Sequence, residues 1–535
     1  MPLFSVAAEY VGIGSRMQEK TERTPLRLHR KDAIRYVIFA SLWLGSFLAA
    51  ADSTIITTIT TKLMSDFTDG SLLSWLGASY FIANAWVQPL CGQLTDIYSR
   101  RTGLIWSIVA FTVGNSLSAT AVSSLMLIGS RFVAGIGGGA FIVITTMVAN
   151  DLVTSRARGL YQGCTNLIYA MGHSSGGIFS AFITEKFSWH WSFFTLAALS
   201  ILSGVLLGIV MPANVIDVTG SMPQNVDPEK AVDFKGALYF SVATFLLLFG
   251  LNDVAFSIPL PWVRSTIVLA GAGAGGFLFI RHSLRFSRPV LPLRHLGTRS
   301  VLAGCLINFC ACCCFTIAEF FLPVIGQLLS TREDEVLQAS LILLPLSAGA
   351  AVGSMGAGVI LLYYHYPRDI SIGGSALVFI SSLIQATVIY PDLIEDVKLG
   401  KILMIGSTFS CGLGFGVLMT SSLVAVLFSL TDQRESARVT SLLFTFRSFG
   451  CALGLTLGSL ACQVVLRRTL RASSSMVDEE TLRRVLQSPL AIFHLHSSIK
   501  KVVLSAYLTS ISIVLYTCAG LALLGSIIAF GLLPR

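Results

Sequence analysis

About fourteen runs of this chain are each long and apolar enough to cross a lipid bilayer, and that property limits the fold more than any motif does. A hydrocarbon core of roughly 30 Å takes about 20 helical residues to cross. Lipid offers no partner to a backbone N–H or C=O, so a spanning segment must be a helix or a strand of a closed barrel. Period-2 alternation is missing, which excludes the barrel. The runs read as 34–60, 73–94, 103–121, 124–149, 160–183, 190–211, 236–255, 262–281, 299–324, 337–363, 369–390, 400–428, 439–465 and 503–533. The expected class is an all-α polytopic membrane protein with 14 transmembrane helices.

Charge then sets orientation. The net charge is +9, but the basic residues lie in the turns between spans and form no single patch, so a nucleic-acid partner is not expected. With the N-terminus inside, the cytosolic turns hold Arg100, Arg101, Arg156, Arg158, Lys230, Lys235, Arg281, Arg285, Arg368, Arg434 and Arg438. The opposite short turns hold few cations, so the positive-inside rule puts both termini in the cytosol. The loop 466–502 breaks the bias with Arg467, Arg468, Arg471, Arg483 and Arg484, and is read as non-cytosolic because longer loops translocate with less regard for charge.

Polar stretches divide the spans into six, two and six. Residues 1–33 read as a cytosolic tail, 34–211 as an N-terminal six-helix bundle, 212–298 as a polar loop and an inserted helix pair, and 299–535 as a C-terminal six-helix bundle. Two bundles around a central site are the arrangement of repeats that rock about a substrate. The 54% hydrophobic composition with only 12% charged residues agrees with lipid as the solvent. Eleven cysteines, four of them in 310–314, read as small apolar side chains, since neither metal-ligand spacing nor a disulfide framework is apparent.

The turn after the second span is Gly92-Gln-Leu-Thr-Asp96-Ile-Tyr-Ser99-Arg100-Arg101. Glycine permits a tight exit, Asp96 can bond backbone donors or a cation, and the arginines reach acids or helix C-termini. Such a turn can latch one state of a rocking carrier; ordinary anchoring by the two arginines is the plainer explanation. Asp151, Arg156 and Arg158 form a comparable second latch after the fourth span. That span carries Arg131-Phe-Val-Ala-Gly135-Ile-Gly137, where a buried arginine needs a cavity or a partner and glycines admit a neighbouring backbone.

Intramembrane ionisable groups mark candidate site residues, because each must be hydrated, paired or neutral. Asp52 sits in the first span with no evident same-helix partner, His173 in the fifth, Glu319 in the ninth and Arg447 in the thirteenth. Glu319 and Arg447 could pair with each other as a structural bridge, and His173 could be a neutral interhelical histidine. Asn84 and Gln88 share a face of the second span, where they would line the same cavity or bond between helices. Gly172 and Gly176 in the fifth span suit close packing. No Gly-Lys-Ser/Thr phosphate loop occurs, so ATP is not the expected energy source.

The turn at 92–101 resembles the signature turn of the major facilitator superfamily, with Ser99 where that family usually has Gly. Residues 131–139 resemble the family's helix-4 motif, whose arginine is implicated in proton coupling. The fifth span resembles the antiporter motif without its proline. Fourteen spans with a central pair resemble the drug:proton antiporter branch. Ser41-Leu-Trp-Leu-Gly-Ser46, Asp52-Ser-Thr-Ile, Gly159-Leu-Tyr-Gln-Gly163, Glu319 and Arg447-Ser-Phe-Gly450 resemble the fungal vacuolar basic amino acid transporters.

That resemblance implies a carrier rather than an enzyme, monomeric, without cofactor and driven by a proton gradient. It would move Lys, Arg or His from the cytosol into the vacuole. Asp52 is then expected to carry protonation-linked binding and Glu319 to hold the cationic end of the substrate. A plasma-membrane multidrug:proton antiporter and a non-transporting nutrient sensor are the alternatives.

Overall fold

The computed structural model describes residues 25–66, 73–153, 157–211, 233–256, 262–286, 289–329, 342–364, 366–389, 397–430, 436–472, 482, 485–486, 492 and 495–533. Each apolar run folds as one helix, because the i to i−4 ladder satisfies the backbone within the segment itself. In chain order these are α1 (Pro25–Asp66), α2 (Leu73–Tyr98), α3 (Arg100–Ala119), α4 (Ser124–Leu152), α5 (Arg158–Lys186), α6 (Trp189–Val210) and α7 (Phe234–Phe256). There follow α8 (Trp262–Arg285), α9 (Arg299–Leu329), α10 (Leu343–Tyr363), α11 (Pro367–Val388), α12 (Val397–Phe428), α13 (Ser436–Ala472) and α14 (Ser497–Leu532). A short 3-10 turn, Leu293–Gly297, joins α8 to α9.

Twelve of the described helices are long and apolar enough to cross a membrane. The other two, α2 and α5, have 26 and 29 residues, ample for a bilayer, but carry Asn84, Gln88, Gln93, Gln162, Asn166 and His173. Both turn polar side chains towards the interior. Several helices outrun the apolar stretch that identified them. α1 begins at Pro25 rather than 34, and α13 runs to Ala472 rather than 465, because an internal hydrogen-bond ladder continues into water when neither Gly nor Pro stops it. Residues 1–24, most of the loop 212–235, Arg156 and most of 473–494 lie outside the described residues. Where the loop 466–502 is described it packs inward, with Val485 and Ile492 fully buried and Tyr507 donating to the Val485 carbonyl at 2.5 Å.

Packing follows sequence halves. Two apolar clusters draw mainly on α1–α6, joined by Phe444 of α13, and two others on α7–α14. Between the halves run two principal seams, α5 against α10 and α2 against α13. The pair α7 and α8 packs on itself and leans on α13 and α2. One end of the pair is fixed by Asp233, buried and multiply bonded. Its carboxylate accepts from the Gly236 N–H at 2.8 Å and the Val290 N–H at 3.3 Å, and lies 2.7 Å from His282 Nε2, while its own N–H donates to Gln93 of α2 at 3.3 Å. The outward surface is apolar: Trp106, Ile209, Val263 and Phe530 are each more than half exposed, as expected of a surface that meets lipid.

Glycine lets the helices close. A Cβ at Gly135 would lie 2.6 Å from the Tyr80 carbonyl oxygen, and one at Gly137, Gly172 or Gly176 would strike the backbone of Phe111, Phe47 or Ala51. Between α10 and α12, Gly349 and Gly353 face Phe409 and Leu413, and Gly412 and Gly416 face Leu346 and Ala350. That reciprocal zipper is not among the glycine contacts expected from the sequence.

Candidate functional site

Where the two seams diverge, the halves enclose a cavity of about 140 Å³. Its polar wall draws on α1, α2, α4, α5, α9, α10 and α13. Of the residues expected from the sequence, Asn84, Gln88, His173, Glu319 and Arg447 line it.

Glu319 and His173 bind each other across the interface of the halves. Glu319 Oε1 lies 2.8 Å from His173 Nε2, with both side chains less than a tenth exposed. The other ring nitrogen, Nδ1, is 3.4 Å from Ser347 Oγ of α10. Tyr169 and Phe315 flank the imidazole, with ring centroids 6.3 and 5.9 Å away. A titratable pair that joins helices of the two halves and faces a cavity has the chemistry to exchange protons and cations, and its integrity depends on how those helices sit.

Arg447 does not pair with Glu319. Its Nε donates to Asn308 Oδ1 at 2.9 Å and its Nη2 to the Met419 carbonyl at 3.1 Å, and the guanidinium lies 4.4 Å from the Phe444 ring centroid. Asn308 is itself held by donation to the Gly304 carbonyl and to Ser422 Oγ. Among the described residues no carboxylate forms an ion pair with Arg447, so the structure disfavours a Glu319–Arg447 bridge. Asn308 was not foreseen; an asparagine amid the cysteine-rich apolar run of α9 was the available signal.

Asp52 is the clearest departure from expectation. It has a partner, on another helix: Arg131 Nη1 donates to Asp52 Oδ1 at 2.7 Å and Nη2 to the Asp52 backbone carbonyl at 3.3 Å. Both side chains are at most 1% exposed. The guanidinium is stacked between Tyr80 and Phe193, 4.8 and 5.5 Å from their centroids. Neither residue lines the cavity. A sequence shows the periodicity of one helix but not the rotation of two helices against each other, so the α1–α4 pairing was invisible. Among the described residues Asp52 Oδ2 and Arg131 Nε have no hydrogen-bond partner and are buried, so the pair is compensated in charge while its hydrogen bonding stays incomplete.

The remaining polar wall joins helices of both halves. Gln162 donates to Asn166, Asn166 donates to Ser354 of α10 at 2.8 Å, and Ser354 lies 2.6 Å from Thr420 of α12. On the other seam, Gln88 Oε1 accepts from Ser448 of α13 at 2.7 Å, and its carbonyl accepts from Ser441 at 2.5 Å. Gln88 therefore serves cavity and seam together. Asn84 packs against Gly139, where any larger residue would displace it.

The turn at 92–101 is a junction of α2, α3, α4 and α6. Gly92 is buried at the end of α2. Arg100 Nε meets Asp151 Oδ2 of α4 at 3.3 Å and its Nη1 donates to Thr95, while Arg101 Nη2 donates to the Gly208 carbonyl near the end of α6 at 2.9 Å. Arg158, at the start of α5, is near enough to feel the charge of Asp151. The Asp96 side chain and Arg156 lie outside the described residues. Ser99 caps α3 with φ of 117°, a left-handed conformation costly for any residue with a Cβ.

Several proteins are similar over most of the length. The multidrug resistance protein fnx1 of Schizosaccharomyces pombe is 26% identical over 488 residues, covering 89% of this chain and 88% of that one. The vacuolar membrane amino acid uptake transporter fnx2 of the same organism is 28% identical over 486 residues, covering 89% and 80%. Among solved structures, the proton:xylose symporter XylE bound to 6-bromo-6-deoxy-D-glucose superposes with a TM-score of 0.58 at 13% identity, over 94% of this chain and 96% of that one, a likeness of fold alone. Residues 42–455 match the sequence profile of the Major Facilitator Superfamily, and the chain belongs to that family of membrane transporters.

Proposed function

We propose that this transporter exchanges protons for basic amino acids, Lys, Arg or His, moving them from the cytosol into the vacuole. The observation that carries the reading is the His173–Glu319 pair, which faces the cavity from opposite halves. A cationic substrate that reaches Glu319 competes with the imidazole for the same carboxylate, and low dielectric strengthens either partner. Binding the cation then releases His173 to give up a proton, and reprotonation on the acidic side expels the cation. One proton for one monovalent cation is electrically neutral, so the pH gradient, at about 1.4 kcal/mol per proton per unit, supplies the drive. The name of fnx2 supports amino acids and the vacuolar membrane.

In this reading all fourteen helices span the bilayer as two six-helix bundles, α1–α6 and α9–α14, with α7 and α8 as an inserted pair and both termini cytosolic. The seams α5–α10 and α2–α13 open alternately, and no cofactor takes part. In this reading the Asp52–Arg131 pair is the electrostatic core of the first bundle, and proton exchange is assigned to His173 and Glu319 instead of Asp52.

A second reading, a plasma-membrane multidrug:proton antiporter, draws on the aromatic wall of Phe81, Phe315, Phe415 and Phe444 and on the name of fnx1. Uptake of labelled amino acids into vacuolar vesicles, from cells with and without the protein, tests the first reading. Competition by lysine or arginine supports it; competition by hydrophobic cations alone supports the second.

A further inference from the structure

The cavity carries two charged groups of opposite sign, and each keeps one hydrogen-bonding end free. Arg447 spends Nε and Nη2 on Asn308 and Met419, which leaves Nη1 without a hydrogen bond among the described residues. Glu319 spends Oε1 on His173, which leaves Oε2 without one among the same residues. Both side chains line the cavity. The fixed bonds of Arg447 matter as much as the free one, because a guanidinium held by a buried amide and a backbone carbonyl is oriented before a ligand arrives.

Their separation can be read from α9. The Arg447 Nε is bonded to Asn308, so the guanidinium sits at that level, and Glu319 is eleven residues further along the same helix. Eleven residues rise about 16 Å, and because both side chains lean the same way along the helix, the two levels stay roughly that far apart. An extended lysine places its carboxylate and its side-chain ammonium about 7 Å apart by bond lengths, and a charge-assisted contact at each end adds about 2.8 Å. The total of about 13 Å comes within a few ångströms of that spacing. A neutral amino acid, with its carboxylate and α-ammonium about 3 Å apart, falls several ångströms short of bridging the two groups.

We infer that Arg447 is the carboxylate-binding residue of the site and that Arg447 and Glu319 together select amino acids by the distance between their anionic and cationic ends. This inference rests on the reading of the cavity as a basic amino acid site and adds to it a specificity for the free α-carboxylate. Diamines and carboxylate esters of lysine, which have the cation but no anion, engage Glu319 alone. A lysine at 447 keeps the charge without the fork fixed by Asn308 and Met419, so it orients the ligand less well.

The test is competition against labelled lysine uptake in vesicles containing the full chain, using lysine, lysine methyl ester and the decarboxylated diamine. In the parent, ester and diamine should compete about tenfold more weakly than lysine, the loss of one charge-assisted contact. In Arg447→Gln the three should compete alike, because lysine weakens while the others do not, and Arg447→Lys should fall between. A residue that merely supported the fold would weaken all three together. Equal competition in the parent, or a tenfold ratio that survives in Arg447→Gln, overturns the inference while leaving basic amino acid transport intact. Absence of lysine uptake by the parent overturns the transport reading and this inference with it. If Arg447→Gln fails to accumulate, the parent comparison and Arg447→Lys still decide.

Discussion

At the residue scale the structure separates two kinds of buried charge. Asp52 and Arg131 are sealed from the cavity and pair within the first six helices, whereas His173 and Glu319 face it from opposite halves. Losing one member of a sealed pair leaves an uncompensated charge and costs about 3–5 kcal/mol. Arg131→Ala should therefore sharply lower the yield of folded protein, measured as monodisperse material in detergent, and replacing both members by apolar residues should recover much of it. Ser99 offers the opposite case. Its positive φ costs a residue with a Cβ about 1 kcal/mol that glycine avoids, so Ser99→Gly should raise the thermal midpoint. The identity of the charged residues was legible in the sequence, because an ionisable side chain in an apolar run needs a reason. Their partners were not legible, since Asp52 finds Arg131 and Glu319 finds His173 only through the rotation and tilt of separate helices.

At the element scale, function depends on contacts that must both hold and release. The α2–α3 turn binds α4 through Arg100 and Asp151 and α6 through Arg101 and Gly208. These contacts lie at helix ends, away from the cavity, and we propose that they bias the balance of states without forming the site. Arg101→Ala should insert normally yet transport about tenfold more slowly, the factor that 1.4 kcal/mol of altered state preference gives. A variant with the parent rate would reduce the turn to an anchor. The α10–α12 zipper is different in kind, a permanent joint whose glycines touch backbone. Gly412→Ala forces those helices apart and should cost about 1–3 kcal/mol, read as a lower thermal midpoint in detergent. Helix number and order followed from the length of the apolar runs. Helix ends did not, as at Pro25 and Ala472, because hydropathy marks where lipid stops rather than where the hydrogen-bond ladder stops.

At the scale of the whole molecule, a cavity between two halves becomes a carrier only if its occupant alters the bond that links them. Glu319 and His173 make that link inside the cavity, so in the proposed mechanism substrate, proton and the disposition of the halves converge on one carboxylate. The topology proposed from the charge bias puts residues 212–235 and both termini in the cytosol, so single cysteines placed there on a background lacking other reactive thiols should be labelled only from that side of sealed vesicles. The central claim is tested most directly with purified protein in proteoliposomes carrying an inside-acid pH gradient and no membrane potential. Labelled lysine should accumulate, the accumulation should collapse when an ionophore dissipates the gradient, and Glu319→Gln should abolish it although the protein remains folded. Lysine accumulation that ignores the pH gradient, or that Glu319→Gln leaves unchanged, would contradict the account.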